Sequence, residues 1–276
     1  MNKFKTVAAL AAALLATATL GGCAAVNDTY DNEENTDITQ QTPETQQPEA
    51  NAGNETEIPV EVPNVLTVSY LNVTSDGVNI RSGAGTNYSS RGTAEKSTMY
   101  ALNGNANGWY KTGYKNNSAY ISSKYCEVVE MKSSGDERIE EVIKEGTKLL
   151  GTAYVYGAVR YHDGNGRKLS GFNINAFDCS SLMQYIFYTG ANVNLQMNTR
   201  TQIYQGKTVK KSELKRGDLM FFTNASRKNL SGVERVGHVA LYLGDNWILH
   251  TASDYAKIEQ ISSTRWSYFI QGQRII

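Results

Sequence analysis

Histidine and cysteine are both scarce in this chain, with three of each in 276 residues. His162, His238 and His250 are scattered and no Cys-x-x-Cys occurs, so no zinc-type ligand set is present, and neither a metal nor a cofactor is expected. Cys23, Cys126 and Cys179 are too few for a disulfide-dense scaffold. Cys126, in Tyr125-Cys126-Glu127-Val128-Val129, reads as a small apolar residue near a strand end, which leaves Cys179 as a free thiol. No second long apolar run follows the first one, which ends at Leu20. Net charge is also missing, with 27 basic and 27 acidic residues. That balance hides an asymmetry: residues 24–65 have no Lys or Arg and ten carboxylates, whereas residues 66–276 hold 25 basic residues against 17 acidic ones, a net of +8. A basic folded part suits an anionic surface.

The first residues read as a leader. Lys3 and Lys5 precede an Ala- and Leu-rich stretch, Val7 to Leu20, which is short for a membrane span and fits a signal peptide. It ends Leu20-Gly21-Gly22-Cys23, which resembles a bacterial lipobox; that resemblance implies cleavage before Cys23 and lipidation of its thiol. Residues 23–65 are rich in Asp, Glu, Thr, Gln, Asn and Pro and cannot bury enough apolar surface to repay ordering, so they read as an extended acidic tether. The expected location is outside the cell membrane, anchored through Cys23 and facing the wall, where nucleic acid is not a partner.

From residue 66 to 130 the texture is of short alternating runs with turn signals between them. Val78-Asn79-Ile80, Met99-Tyr100-Ala101-Leu102, Trp109-Tyr110-Lys111-Thr112 and Ala119-Tyr120-Ile121 are separated by Gly- and Asn-bearing breaks, as in a small all-β barrel. Asp76-Gly77-Val78-Asn79-Ile80-Arg81-Ser82-Gly83-Ala84-Gly85-Thr86, Gly108-Trp109-Tyr110-Lys111 and Ala119-Tyr120-Ile121 resemble a bacterial SH3-like domain, which implies wall contact or a scaffold for the unit that follows. Met131 to Glu137 reads as a polar hinge. Ile139, Val142, Ile143, Leu149 and Leu150 then recur at helical spacing up to Gly151.

The chemistry concentrates in residues 137–276. Cys179 opens an apolar run, Leu182 to Phe187, that reads as a helix capped by Asp178 or Ser180 and stopped by Gly190. A thiol at a helix N-terminus beside an imidazole is expected to ionise easily. Val236 to Leu243 and Trp247 to Thr251 read as two strands of a hairpin turning at Gly244-Asp245-Asn246, which allows His238 and His250 to meet on one sheet face. A helix-start Cys with two histidines about one hairpin points to nucleophilic catalysis.

Tyr154-Val155-Tyr156-Gly157, Phe177-Asp178-Cys179-Ser180, Asn198-Thr199-Arg200-Thr201-Gln202, Lys215-Arg216-Gly217-Asp218-Leu219-Met220-Phe221-Phe222, Gly237-His238-Val239-Ala240-Leu241-Tyr242-Leu243-Gly244 and His250-Thr251-Ala252 resemble, in order, the NlpC-type cell-wall cysteine peptidases. The resemblance implies an α+β, papain-like fold in which the helix bearing Cys179 packs on an antiparallel sheet. It also implies a Cys179–His238–His250 triad, with Tyr154, Asp178, Ser180, Arg200 and Thr201 at the substrate. The implied reaction is hydrolysis of the γ-D-glutamyl–diamino acid bond in peptidoglycan stem peptides by a monomeric enzyme. An N-acetylmuramoyl-L-alanine amidase on the same fold, or a wall-binding lipoprotein without activity, stay open as alternatives. So does a recycling enzyme for short free muropeptides. Tyr156 reads as a cleft residue or as packing under the helix. Two departures are visible: Ser181 where the family often has Gly, and a polar stretch of about twenty residues between Gly157 and Phe177, with Arg160, His162, Asp163, Arg167 and Lys168, that reads as a loop inserted beside the nucleophile; recognition of substrate carboxylates, covering of the cleft and a plain solvated insertion stay open for it.

Overall fold

The computed structural model describes residues 66–276; the expected leader, Cys23 and the acidic tether lie outside the described residues. The N-terminal part is sheet-rich: β1 (Thr67–Val73), β2 (Val78–Arg81), β3 (Ser90–Ala94), β4 (Thr98–Ala101), β5 (Gly104–Ala106), β6 (Trp109–Tyr114), β7 (Asn117–Ser122) and β8 (Cys126–Lys132). Strands 3-2-7-6-5 form one sheet in that order. Met131, expected in a hinge, is buried within β8, because that strand runs antiparallel to β1 as far as Thr67–Lys132.

The remainder alternates helices with strands: α1 (Glu137–Lys148), β9 (Ala153–Tyr154), β10 (Ala176–Phe177), α2 (Cys179–Ala191), α3 (Thr199–Gln202), β11 (Lys207–Val209), β12 (Leu219–Phe222), β13 (His238–Gly244), β14 (Trp247–Ala252), β15 (Tyr255–Gln260), α4 (Ser263–Ser267) and β16 (Phe269–Arg274). A second sheet runs β11-β16-β12-β13-β14-β15-β4-β1-β8, so it crosses between the two parts where Ile258 and Glu259 of β15 pair with Met99 and Thr98 of β4. No described helix is long and apolar enough to cross a membrane.

Strand alternation gives this sheet two buried faces. Leu219, Phe221, Val239, Leu241 and Leu249 join the main core with Leu182, Met183, Ile186 and Phe187 of α2, whereas Met220, Phe222, Ala240 and Ile248 form a smaller cluster with Ile261. Each of these large side chains contributes roughly 1.5–3 kcal/mol by leaving water. α1 packs on α2 at close range. A Cβ on Gly190 would stand 2.6 Å from the Val142 backbone, so glycine is required there for the approach of the two helices. The helix therefore runs through Gly190, and Asn192, in the left-handed conformation at φ 52°, ends it.

An ion pair of the C-terminal part, centred on the buried Arg216, reaches the N-terminal part through Tyr70. Arg216, ahead of β12, donates to both Glu140 oxygens at 2.9 and 2.8 Å, to the Tyr70 hydroxyl at 2.8 Å and to the Leu243 carbonyl at 2.8 Å. Burial raises the Glu140 carboxyl, but the hydrogen bonds from Arg216 and Ser134 outweigh it and hold the group at about 2. Arg274 grips both Asp218 oxygens in the same bidentate manner.

Candidate active site

Cys179 is the first residue of α2, and its N-cap is Asp178. The Asp178 carboxylate accepts from the Ser181 N–H at 2.8 Å while the Ser181 hydroxyl accepts from the Asp178 N–H at 2.9 Å. Serine in place of glycine thus completes a capping box and stiffens the helix start. The thiol is 8% exposed and unpaired with any other cysteine.

His238 opens β13 and His250 lies in β14. Leu241 pairs with Leu249, a register that sets His250 across from Ala240 and His238 one diagonal step away on the same face. The positive-φ turn at Asp245 and Asn246, φ 47° and 68°, closes the hairpin. The rings meet edge to face, His238 Nε2 to His250 Nδ1 at 3.0 Å. On its other side, His250 Nε2 lies 3.0 Å from Glu259 Oε1, and the Arg265 guanidinium donates to that same oxygen at 2.9 Å.

This chain of contacts assigns the protons. Burial of Glu259 raises its carboxyl, but His250, Arg265 and Lys257 outweigh that and hold it at about 2. A carboxylate only accepts, so His250 Nε2 carries a hydrogen and its Nδ1 is the acceptor. His238 Nε2 must then donate to it, which leaves His238 Nδ1 as the one basic nitrogen. Burial lowers both imidazoles from their ordinary value; His250 and Arg265 depress His238 further, so both rings are neutral near pH 7.

The thiol is neutral as well. Burial, with the Asp178 carboxylate adding to it, pushes Cys179 up to about 11, against smaller opposing effects from the Val239 and Ser180 N–H groups and Arg160. The N–H groups about the helix start, which the sequence suggested would ionise it, are outweighed by desolvation.

Cys179 lines two adjoining cavities. His238 and Cys179 line one of about 410 Å³, with Tyr154, Phe222, Arg265 and Tyr268. Cys179, Tyr154, Asp178, Ser180 and Arg200 line the other, of about 170 Å³, with Tyr156 and Arg160. Tyr156 is 84% exposed rather than packed beneath α2. Thr201 does not line either cavity; its hydroxyl donates to the Asn198 carbonyl at 3.0 Å and accepts from the Asn198 N–H in the capping box of α3. Glu259 was not singled out from the sequence, and Arg160 was read only as one of several polar residues of the inserted loop. Glu259 follows from extending the hairpin by one strand, since β15 pairs with β14 next to His250. Arg160 has no such periodic signal.

The inserted stretch is fastened down. Tyr161 and Phe172 pack at 5.0 Å between ring centroids; Tyr161 meets Tyr185 of α2 edge-on at 5.2 Å and Phe172 stacks on it at 5.3 Å. His162 is fully buried and accepts from the Gly164 N–H at 3.0 Å.

Residues 151–274 match the NlpC/P60 family. Over 142 residues the chain is 29% identical to the peptidoglycan DL-endopeptidase CwlO of Bacillus licheniformis, covering 51% of this chain and 28% of that protein. Over 172 residues it is 28% identical to the gamma-D-glutamyl-L-lysine dipeptidyl-peptidase of Bacillus subtilis, covering 62% of this chain and 50% of that protein. The chain thus spans half or less of the length of these two relatives. Among solved structures, the peptidoglycan hydrolase RipB of Mycobacterium tuberculosis is similar with a TM-score of 0.39 and 27% identity, covering 50% of this chain and 65% of that one. Residues 151–274 of this chain are thus similar to the NlpC/P60 family, and its relatives include proteins named as peptidoglycan endopeptidases.

Proposed function

We propose that this chain is a peptidoglycan hydrolase, a cysteine endopeptidase that cuts the γ-D-glutamyl–diamino acid bond of stem peptides through Cys179, His238 and His250. The observation that carries the reading is the relay Glu259–His250–His238 ending at the cavity that holds the Cys179 thiol. The names of the relatives support the substrate.

His238 Nδ1 takes the thiol proton as Cys179 Sγ attacks the amide carbon, so the nucleophile is generated during attack from a neutral pair. The C–N bond then breaks as the same proton passes to the leaving amine. The remaining thioester is hydrolysed by a water that His238 deprotonates. His250 holds the His238 ring in its productive tautomer and stabilises the imidazolium, the work a carboxylate performs in other triads. The oxyanion meets the Cys179 N–H at the start of α2, a fixed dipole that needs no reorganisation. Residues 1–22 as leader, lipidated Cys23, the 23–65 tether and an SH3-like 66–130 unit complete the proposal. Together they deliver the site to the wall, and the basic residues suit an anionic polymer.

Digestion of purified muropeptides tests it. The expected product has a newly freed amine on the diamino acid, and Cys179→Ala abolishes its formation while preserving the folded protein. A freed L-alanine N-terminus instead makes the chain an amidase, and equal activity of wild type and Cys179→Ala refutes the nucleophile.

A further inference from the structure

Arg160 comes from the inserted stretch and reaches across the smaller cavity to the residues flanking the nucleophile. Its side chain is 12% exposed and every guanidinium nitrogen is engaged. Nε donates to the Met197 carbonyl at 2.6 Å, one terminal nitrogen donates to the Ala158 carbonyl and pairs with Asp178 Oδ2 at 2.8 Å, and the other donates to the Ser180 hydroxyl at 3.0 Å. The aromatic packing of Tyr161 and Phe172 on α2 holds the backbone that follows it.

The consequence falls on Asp178 and Ser180. Asp178 Oδ1 accepts from the Ser181 N–H and the Ser180 hydroxyl, and Oδ2 accepts from the Gly157 N–H at 3.2 Å as well as pairing with Arg160. The Ser180 hydroxyl both donates and accepts within this set. Asp178 keeps no acceptor site for a cationic ligand, and Ser180 offers only a neutral hydroxyl oxygen. Asp178 is the one carboxylate lining this cavity, against the guanidiniums of Arg160, Arg200 and Arg227. Outside the lining, Glu234 pairs with Arg200 at 3.6 Å and with Arg227 at 3.3 Å. The cavity therefore offers no unpaired carboxylate and a net positive wall.

The leaving amine departs on the side of His238, which must protonate it. The acyl part of the substrate then falls to the adjoining cavity, which Arg160 lines and which shares Cys179 with the one lined by His238. We infer that Arg160 makes this acyl side selective against a free terminal ammonium, so that the substrate is a stem peptide whose N-terminus is capped as an amide. This deepens the proposed endopeptidase reading and rests on it. An ammonium entering here would meet a neutralised Asp178 and a fixed like charge in a shielded cleft, or would have to displace a guanidinium from four acceptors. An amide at the same position brings no charge to be opposed, and any carboxylate nearby on the acyl part is drawn to the three guanidiniums.

The test compares two synthetic tripeptides, L-alanyl-γ-D-glutamyl-L-lysine with a free N-terminus and its N-acetylated counterpart, at about pH 7, where the free amine is protonated. Wild type is expected to cut the acetylated peptide with kcat/KM at least about tenfold higher, as like-charge juxtaposition in a shielded site costs on that scale or more. Arg160→Gln is expected to narrow the ratio to within about threefold, mainly through a lower KM for the free-amine peptide, while Arg160→Lys keeps a charge at the position and retains the preference. A ratio measured on one protein is insensitive to the fraction folded. A wild-type ratio of one or below overturns the proposal with no variant needed, and so does an unchanged ratio in Arg160→Gln. Wild-type cleavage of neither peptide, with amide hydrolysis on intact muropeptides at a different bond, defeats the endopeptidase reading itself and the proposal with it.

Discussion

His250 Nε2 and Glu259 Oε1 stand 3.0 Å apart, and this contact orients the whole relay. Without an acceptor fixed at Nε2, His250 has no preferred tautomer, and His238 can be held with its hydrogen on the wrong nitrogen. Glu259→Ala is expected to lower kcat by roughly ten- to hundredfold with little change in KM, because the loss lies in proton transfer and not in substrate contact. Glu259→Gln keeps an oxygen acceptor for the His250 N–H and for Arg265, so it is expected to recover most of the rate. Steady-state kinetics on the three proteins checks this, and an unchanged kcat in Glu259→Ala would show that the contact does not orient the relay.

The neutral resting pair has a chemical signature. Because burial pushes the Cys179 thiol up to about 11, little thiolate exists in the free protein near neutrality. Alkylation by iodoacetamide is expected to be slow at about pH 7 and to climb continuously toward alkaline pH, following the thiolate fraction. An early plateau, with fast alkylation at about pH 6, would mean a preformed thiolate–imidazolium pair. Mass spectrometry separates Cys179 from Cys126, whose thiol burial also raises to about 11.

Much of the site could be read along the chain because its parts obey local rules. The apolar run after Asp178-Cys179-Ser180 specifies a capped helix, and the turn residues Asp245 and Asn246 bring the histidine strands together. The N-terminal strands were visible for the same reason, since Val78-Asn79-Ile80 and Trp109-Tyr110-Lys111-Thr112 alternate between breaks. What escaped depends on distance. Arg160 sits in a loop without periodicity, and its partners Asp178, Ser180 and Met197 are fixed only by the fold. Gly190 looked like a helix stop because glycine usually weakens helices, but the approach of the Val142 backbone gives it a different purpose. The thiol was expected to ionise from its position on the helix, a local argument that leaves out the desolvation imposed by the whole cleft.

The continuous sheet ties the N-terminal part to the chemistry. β15 carries Glu259, and its outer edge is completed by β4, where Glu259 pairs with Thr98 and Ile258 with Met99. Tyr70 of β1 donates nothing to the cleft but accepts from the buried Arg216. A fragment comprising residues 137–276 would expose the β15 edge, uncover Ile258, and remove Tyr70, one of the two partners of one Arg216 nitrogen. Unpaired edges promote association, and a buried cation that loses a partner is costly. The fragment is therefore expected to melt at lower temperature and to self-associate. Its kcat should fall toward the level of Glu259→Ala, since the strand that positions Glu259 loses its outer neighbour. Thermal unfolding, light scattering and kinetics on the fragment and the longer chain decide the matter. A monomeric fragment with full kcat would make the N-terminal part dispensable for catalysis and leave it only the task of holding the domain to its substrate.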